Sequence, residues 1–458
     1  MTEISQAAGH GWVLDEVFET KYRSVERQLD SIASIYNLRA VAAEIPTQSG
    51  TFFEYVSTIP YFVVLVVYRP QKSILLLLGS DREQDSYSLP ARKVQPGQAL
   101  EEAVRALSED VLPGAHLAGF EPTAMVTHRF TLKDEGKVSD SFLQRGVAFV
   151  ARLMDIGADN TSTGASRRDN ARFVSFRECR EHVRRGAFRK YTNAVIAERS
   201  LDFLDQFFQL KVPPQDVEVL ESEAALSKYR IHDALVKPVL GLLKRAERFN
   251  ELVLATVGTP ARFLDASCGE SSLLFEVSAR GADLVVGNDV AWPVVKMLAG
   301  RSRPGDGRAL LFTNHNLVYL PFRNGAFDVA LCKNTLHHLQ SPREFELAVA
   351  GLLRVAPRVV LVEVVDPAKR FVSRIINQYY RHFLRDAGEH FFSEEKLRAA
   401  IDGFVSDGGR GRVSSWEKFS SLHGDYIVCC LESAQTSGGD VTHRAVQGSL
   451  AFASAREV

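Results

Sequence analysis

From residue 261 to residue 364 the chain repeats one unit: a short apolar run, a turn, and a stretch long enough for a helix. The apolar runs fall at 261–266, 283–287, 308–312, 327–332 and 357–364. Short, nearly continuous apolar runs alternating with helix-length segments predict an α/β unit built on a doubly wound parallel sheet. Two later segments, RVSSWEKF and GDYIVCCLES, are joined by a short turn at Ser421–Gly424 and predict an antiparallel pair at one edge of that sheet.

The first half of the chain has another texture. Polar and apolar residues alternate at helical spacing around Phe18, Tyr22, Val25 and Leu29, which predicts an N-terminal helix. Between 61 and 155 the runs YFVVLVVY, SILLLLG and VAFVARL predict strands, the first two joined as a hairpin through Arg69–Ser73. One helical segment, Ala99 to Val111, interrupts them, so this half reads as α+β. Glycine, serine and asparagine without an apolar period make 157–170 a loop; Val212-Pro213-Pro214 opens an acidic linker over 212–225; and the small polar residues of 434–458 read as a disordered tail.

Length and composition set the outer bounds. At 458 residues, two or three domains are expected. With 55 basic and 56 acidic side chains, no global field recruits nucleic acid or anionic lipid. The longest apolar run, Tyr61 to Tyr68, is far below the ~20 residues that span a bilayer, so no membrane partner is expected. Five cysteines, Cys179, Cys268, Cys332, Cys429 and Cys430, match no zinc or redox spacing. With no secretory signal at the start, a cytoplasmic setting is expected.

The segment FLDASCGESSLLFEVSARGADLVVGND, 263–289, carries the sharpest chemical signal. A strand ends in Asp265, small residues follow (Ala266, Ser267, Cys268, Gly269), and a helix is expected from about Glu270. Small residues let a ligand approach the backbone, and a helix start offers free amides. The next strand ends in Asp289, where a carboxylate can accept from both hydroxyls of a ribose.

In these segments, together with NLVYLPFRNGAFDVALCKNTLHHL over 316–339 and the terminal antiparallel pair, the chain resembles class I S-adenosylmethionine-dependent methyltransferases from about Tyr229 to Glu432. The resemblance implies a Rossmann-like seven-stranded sheet and S-adenosylmethionine as cofactor. By it, Asp265 orients the methionine moiety and Ser267, Cys268 and Gly269 line it. Asp289 and Val290 lie at the ribose, Asn316 and Leu317 beside the adenine, and Cys332 and Lys333 near the amino acid portion. Ser267 and Ser271 stand where that family usually has glycine.

The methyl acceptor is expected to be a small molecule. After the run VLVEVVD, residues 368–392 exceed a plain crossover, and Phe371, Ile375, Tyr379 and Phe383 form an apolar stripe able to cover an active site. If the acceptor must lose a proton, a general base is needed, and His337, His338, Glu363, His382 and His390 are the candidates. His337 and His338 equally suit a helix-start pair packed beneath the cofactor.

In the first half, residues 89–114, LPARKVQPGQALEEAVRALSEDVLPG, resemble the Nudix box of diphosphate hydrolases, in which helix carboxylates hold a divalent metal. The resemblance implies a Nudix-like fold over roughly 50–205. Several positions depart from the box: Ala91-Arg92 for the opening glycines, Gln98 for the first glutamate, and Ala106 for the glutamate after the arginine. Glu109 and Asp110 remain as ligands for one weakly bound divalent metal, against the plainer reading of an exposed acidic face. Arg177, Arg180 and Arg184 share a helical face that suits a nucleotide, another phosphate-bearing ligand or an acidic partner; pairing with Glu178 and Glu181 is the plainer reading.

The expected organisation is a helical extension (1–49), a Nudix-like domain (50–211), a linker (212–225), a methyltransferase domain (226–433) and a tail (434–458). The leading function is methyl transfer to a small molecule, with a non-hydrolytic Nudix-like module for binding, assembly or regulation. The alternatives are a bifunctional hydrolase and methyltransferase acting on a nucleotide-derived metabolite, and a non-catalytic sensor of S-adenosylmethionine and a nucleotide. The oligomeric state stays open.

Overall fold

The computed structural model describes residues 16–78, 86–115, 117–134, 137–153, 171–209, 246–269, 273–301, 309–339, 341–367, 369, 371–379, 391–406 and 411–434. The chain divides into two compact units, Met1–Asp216 and Val217–Val458, a division that falls within the segment expected as a linker. The linker itself, the loop at 157–170 and all but the first residue of the expected tail lie outside the described residues.

The described N-terminal unit runs α1 (Glu16–Ile35), β1 (Arg39–Thr47), α2 (Gly50–Ser57), β2 (Tyr61–Arg69), β3 (Ser73–Leu78), β4 (Tyr87–Ser88), β5 (Ala91–Lys93), α3 (Leu100–Val111), β6 (Leu117–Asp134), β7 (Lys137–Leu153), β8 (Ala171–Ser175), α4 (Phe176–Arg184) and α5 (Tyr191–Gln209). Its mixed sheet has the order β1-β6-β7-β2-β3-β4, with β5 against β2 and β8 against β3. Strand β2 explains why the sequence shows an unbroken apolar run there. Successive side chains point to opposite faces, and Phe62, Val64 and Val66 pack into one core with α5, while Tyr61, Val63 and Leu65 pack into another with α1 and α3.

Residues 16–47, expected as part of an extension, belong to this unit. Tyr22, Val25 and Leu29 of α1 fill the second core, and β1 pairs in parallel with β6 from Arg39↔Ala124 to Thr47↔Leu132. Gln28 of α1 also supplies the missing cap of α3. Ala99 has no side-chain oxygen to offer, and the Leu100 amide donates instead to Gln28 Oε1 at 2.9 Å.

The described C-terminal unit runs α6 (Ala246–Val257), β9 (Arg262–Asp265), α7 (Leu273–Ala279), β10 (Leu284–Asn288), α8 (Trp292–Arg301), β11 (Ala309–Thr313), β12 (Val329–Lys333), α9 (Pro342–Val355), β13 (Arg358–Val365), α10 (Phe371–Tyr379), α11 (Glu394–Ser406), β14 (Gly411–Ser420) and β15 (Asp425–Ser433). A single 3₁₀ turn, Leu336–His338, follows β12. The strand order is β11-β10-β9-β12-β13-β15-β14, parallel except that β15 runs against both neighbours. Successive strands step outward from β9 to β11 and then, from β12, to the other side. The carboxyl ends of β9 and β12 therefore flank the switch point, where open α/β sheets bind ligands.

Local chemistry fixes these elements. Ser341 caps α9 by accepting from the Glu344 amide at 3.2 Å, with Pro342 at the first helical position. On β10, a Cβ at Gly287 would lie 2.7 Å from the Leu274 side chain and 3.1 Å from the Phe312 ring, so a larger residue there would make both side chains shift. All five cysteines are free and buried. Among the described residues, no helix is long and apolar enough to cross a membrane.

Candidate functional site

The carboxyl ends of β9, β10, β11, β12 and β13 form one continuous polar edge. At its centre Asp265, the last residue of β9, is fully buried. Its Oδ1 accepts from the Ser267 amide at 3.4 Å, while Oδ2 is buried with no hydrogen-bond partner among the described residues. Burial pushes its pKa up to about 7; Lys333 and the Ser267 amide oppose that rise and Asp289 adds to it. A buried carboxyl with an idle oxygen is costly unless something completes it.

The turn after β9 is lashed to β10. Gly269 takes φ +50°, and a Cβ there would meet nothing within 4 Å among the described residues, so on that side its backbone borders open space. Its amide donates to Asp289 Oδ2 at 2.8 Å, and the Ala291 amide to Oδ1 at 2.9 Å. Half-buried Asp289 also has a raised pKa; loss of hydration outweighs the amides of Ala291, Gly269 and Val290. Buried Cys268 donates its amide to the Asn288 carbonyl at 2.8 Å, and burial near Asp289 and Asp265 holds its side chain as a thiol.

Asn288 is the hub that sequence reasoning missed. It is fully buried and makes four side-chain hydrogen bonds. Nδ2 donates to the carbonyls of Ala266 (2.9 Å) and His315 (3.0 Å), and Oδ1 accepts from Thr313 Oγ1 (3.0 Å) and the His315 amide (2.9 Å). One amide thus joins the ends of β9, β10 and β11. Asn314 extends the lashing, donating to the carbonyls of Asp289 and Val290, both at 2.8 Å. The available signal was a polar residue closing the otherwise apolar run LVVGN.

Beyond β11, Asn316 spends Oδ1 on the Val318 amide at 2.9 Å, a local turn that buries Leu317. At the end of β12, Ser267 Oγ accepts from the Lys333 amide at 3.3 Å and lies 3.8 Å from Cys332 Sγ. Cys332 is buried and its pKa is raised by burial. Lys333 is half-buried; loss of hydration pushes its ammonium below the usual lysine range, opposed by Asp265 and Glu276.

His337 and Glu363 meet across the ends of β12 and β13. His337 Nδ1 lies 2.6 Å from Glu363 Oε1, whose carboxylate also accepts from the Leu336 amide (Oε2, 2.9 Å) and the Val364 amide (Oε1, 2.9 Å). Phe391 stacks on the His337 ring at 4.9 Å. His338 sits beside it, 4.2 Å between ring centres, and burial together with His337 pushes its pKa down to about 3. His338 therefore stays neutral at ordinary pH and is a feeble proton acceptor. His382 and His390 lie outside the described residues. Of the apolar stripe, Phe371 and Ile375 are exposed on α10; the Tyr379 side chain and Phe383 are not among the described groups.

Residues 264–360, from β9 into β13, match the family model of the methyltransferase domain. The C-terminal unit carries a methyltransferase domain. Among solved structures, this chain is similar to 1,6-didemethyltoxoflavin-N1-methyltransferase of Burkholderia thailandensis, solved with 1,6-didemethyltoxoflavin and S-adenosylhomocysteine, at 18% identity and TM-score 0.34 over 48% of this chain and 91% of that one. It is also similar to magnesium protoporphyrin IX methyltransferase of Synechocystis PCC 6803 with bound S-adenosylhomocysteine, at 16% identity and TM-score 0.32 over 42% and 84%. A third is the YcgJ protein of Bacillus subtilis, at 15% and 0.33 over 41% and 98%. No curated protein matches the chain.

The methyltransferase domain thus gathers Asp265, Ser267, Cys268, Gly269, Asp289, Asn316, Cys332 and Lys333 along one sheet edge. The expected metal ligands of the N-terminal unit are engaged otherwise. Glu109 Oε1 accepts from the Gly114 amide at 3.1 Å beyond the end of α3, and Asp110 forms an ion pair with Arg92. Among the described residues no group of three or more histidine, cysteine, aspartate or glutamate side chains could hold a metal. The expected weak metal finds no support, because turn closure and a cation occupy the carboxylates. The arginine stripe is likewise mostly paired within its own unit, Arg180 with Asp202 (3.2 Å) and Asp205 (2.7 Å), and Arg177 with Glu181 (3.4 Å).

Proposed function

We propose that the C-terminal unit transfers a methyl group from S-adenosylmethionine to a small-molecule acceptor. One observation carries the reading: Asp265 Oδ2, buried and idle at the switch point, with Asp289 and the open backbone of Gly269 beside it. Carboxyls that lose hydration without full compensation favour a ligand bearing cationic and hydroxyl groups. An adenosyl sulfonium amino acid has both. Asp265 would take its ammonium, Asp289 its ribose hydroxyls, and Leu317 would border the adenine.

When bound, the cofactor supplies an electrophilic methyl group on sulfur. The chain's own residues then bind, orient and exclude water. Glu363, fixed by two amides, lies 2.6 Å from His337 Nδ1 and orients that ring, the candidate base for an acceptor that must lose a proton. Phe371 and Ile375 on α10 offer apolar surface after β13 for an acceptor with an apolar body. Calorimetric titration with S-adenosylhomocysteine tests the reading. Wild type binds and Asp289→Ala weakens binding by tenfold or so, from the loss of charge-assisted hydrogen bonds; equal affinity in the two proteins removes the ribose assignment.

We read the N-terminal unit as a Nudix-like module that binds or assembles without hydrolysing. Gln98 and Ala106, with Glu109 held by Gly114 and Asp110 by Arg92, support this. The full chain with magnesium or manganese is expected to leave common nucleoside diphosphate derivatives intact. Robust turnover that Glu109→Gln abolishes refutes it and favours the bifunctional alternative.

A further inference from the structure

The N-terminal unit buries a histidine on the α5 face of its sheet. His128 of β6 is only 6% exposed. Its Nδ1 lies 3.1 Å from Gln144 Oε1 on the paired strand β7, and Gln144 Nε2 donates to the Ile59 carbonyl at 2.7 Å. An amide oxygen only accepts, so Nδ1 carries the proton of its bond to Gln144. Nε2, across the ring, is buried with no hydrogen-bond partner among the described residues. The Phe62 ring stacks on His128 at 5.2 Å and 14°. It can lie there because Gly146 of β7 is bare; a Cβ at that position would meet the Phe62 ring at 2.7 Å. Burial pushes the His128 pKa below the usual histidine value; the Gln144 bond opposes this and Lys190 adds to it.

Strand register places the start of α5 at this ring. Tyr68 of β2 pairs with Arg152 of β7, and Arg152 with Ala118 of β6. Phe208, near the end of α5, packs on the Tyr68 ring at 6.0 Å, and Ser200 Oγ, midway along the helix, lies 3.5 Å from Thr123 Oγ1. Traced backward, α5 therefore follows β6 toward His128. Ser200 to Tyr191 spans ~13 Å of helix and Thr123 to His128 ~17 Å of strand, so the helix begins close to the level of His128. That beginning is positive: Arg189 and Lys190 precede it, both exposed, and no acid lies in its first turn. Lys190 has no side-chain oxygen with which to cap the first-turn amides.

A buried acceptor nitrogen at a positive helix start suits a ligand that is an anion and yet donates a hydrogen bond. Carboxylate and sulfate only accept at neutral pH, so their oxygens would face the lone pair of Nε2 unless the shielded ring took up a proton. A phosphate group, whose second ionisation in a monoester lies at about pH 6, brings the proton itself. We propose that His128, Lys190 and the first-turn amides of α5 form a site for a phosphate group that still carries a proton, free or on a small monoester. Its P–OH donates to His128 Nε2, and its other oxygens accept from the amides and from Lys190. Lys190 and Tyr191, at the mouth, are exposed side chains that can swing aside. Phe62 packs with α5, whereas Tyr61 and Val63 pack with α3 on the other face. The site thus lies across the sheet from Glu109 and Asp110, and its test is independent of whether α3 supports hydrolysis.

The test is titration calorimetry of the full chain at pH 7 with inorganic phosphate, phenyl phosphate and sulfate. The proteins are wild type, His128→Phe and Lys190→Gln, each checked for its fold by circular dichroism. Wild type is expected to bind inorganic phosphate about tenfold or more tighter than sulfate, the worth of one hydrogen bond to a charged group. His128→Phe keeps the ring stack and should bind the two anions alike. Lys190→Gln, a surface change, should weaken both by a similar factor and keep their ratio. Phenyl phosphate binding at least as tightly as inorganic phosphate assigns a monoester; binding of inorganic phosphate alone assigns the free ion. Equal affinity of wild type for phosphate and sulfate reduces the site to a basic patch and overturns the proposal. So does wild type that binds no phosphate, or a folded His128→Phe that keeps the preference. If His128→Phe does not fold, the wild-type ratio of phosphate to sulfate decides.

Discussion

Replacing Asn288 by alanine probes the lashing of the site most directly. The substitution removes four hydrogen bonds at 2.9–3.0 Å and leaves the carbonyls of Ala266 and His315, the His315 amide and the Thr313 hydroxyl to find new partners. At about 1 kcal/mol net for each bond, the loss is ~4 kcal/mol, and water entering the small cavity returns only part of it. A unit of this size loses ~2–4 °C of melting temperature per kcal/mol, so scanning calorimetry of the full chain should show one transition falling by roughly 10 °C. The same variant frees the 266–269 turn from β11, and its S-adenosylhomocysteine affinity should fall even where the protein is folded. Asn288→Asp should not rescue, because a carboxylate in that position faces two carbonyl oxygens. A drop below about 2 °C with unchanged affinity would falsify the view of Asn288 as the joint of three strands.

Three further outcomes follow from particular contacts. Gly146→Ala places a Cβ 2.6 Å from the Phe62 carbonyl oxygen, a backbone atom that cannot step aside, so β7 and β2 must separate; urea denaturation should show the N-terminal unit weakened by more than ~2 kcal/mol, and a loss under ~0.5 kcal/mol refutes the close approach. Asp265 holds its proton up to about pH 7 when folded against ~3.9 when unfolded, so its contribution to stability is full below pH 4 and lost as pH rises through 7. Asp265→Asn cannot ionise, so without cofactor it should gain on wild type by ~1 kcal/mol per pH unit between pH 5 and 7, and a constant difference across that range refutes the shift. Buried His315 has its pKa pushed down to about 3, the opposite case, in which stability is present above about pH 6.5 and lost as pH falls toward 3; His315→Leu should remove about one proton from the uptake on unfolding between pH 6 and 4, as read from the slope of stability against pH.

The sheet of the methyltransferase domain was legible because its strands are buried on both faces, which leaves apolar runs that local reading detects. The run expected at 283–287 is β10 at Leu284–Asn288, and that at 327–332 is β12 at Val329–Lys333. Asp265 and Asp289 were legible because each closes such a run. Asn288 was not: an asparagine before an aspartate at a strand end has the chemistry of a turn, and only tertiary placement turns it inward. His337 and Glu363 were both noted, but their bond could not be, since 26 residues separate them and only the pairing of β12 with β13 brings them together. In the N-terminal unit, the helix carrying Glu109 and Asp110 was legible and their engagement was not, because Arg92 and Gly114 reach them through turns. The place of α1 within that unit was hidden for the same reason, as its partners Tyr61, Val63 and Leu65 lie over thirty residues away.

The position of β15 has a consequence for how the protein is made. This strand, Asp425–Ser433, lies between β13 and β14 and pairs with both, yet it is synthesised after either of them. Until residue 433 has left the ribosome, β13 presents a free edge of buried-type residues, Val359, Val360, Leu361 and Val362, and β14 has no sheet to join. A free apolar edge pairs readily with whatever strand it meets, so the nascent domain is exposed to aggregation for longer than its length alone suggests. Slow translation upstream of residue 425 should therefore lower soluble yield, whereas a pause after residue 433 should not. A stop codon anywhere in β15 removes an inner strand and not a fringe, and such truncations should accumulate as insoluble chains.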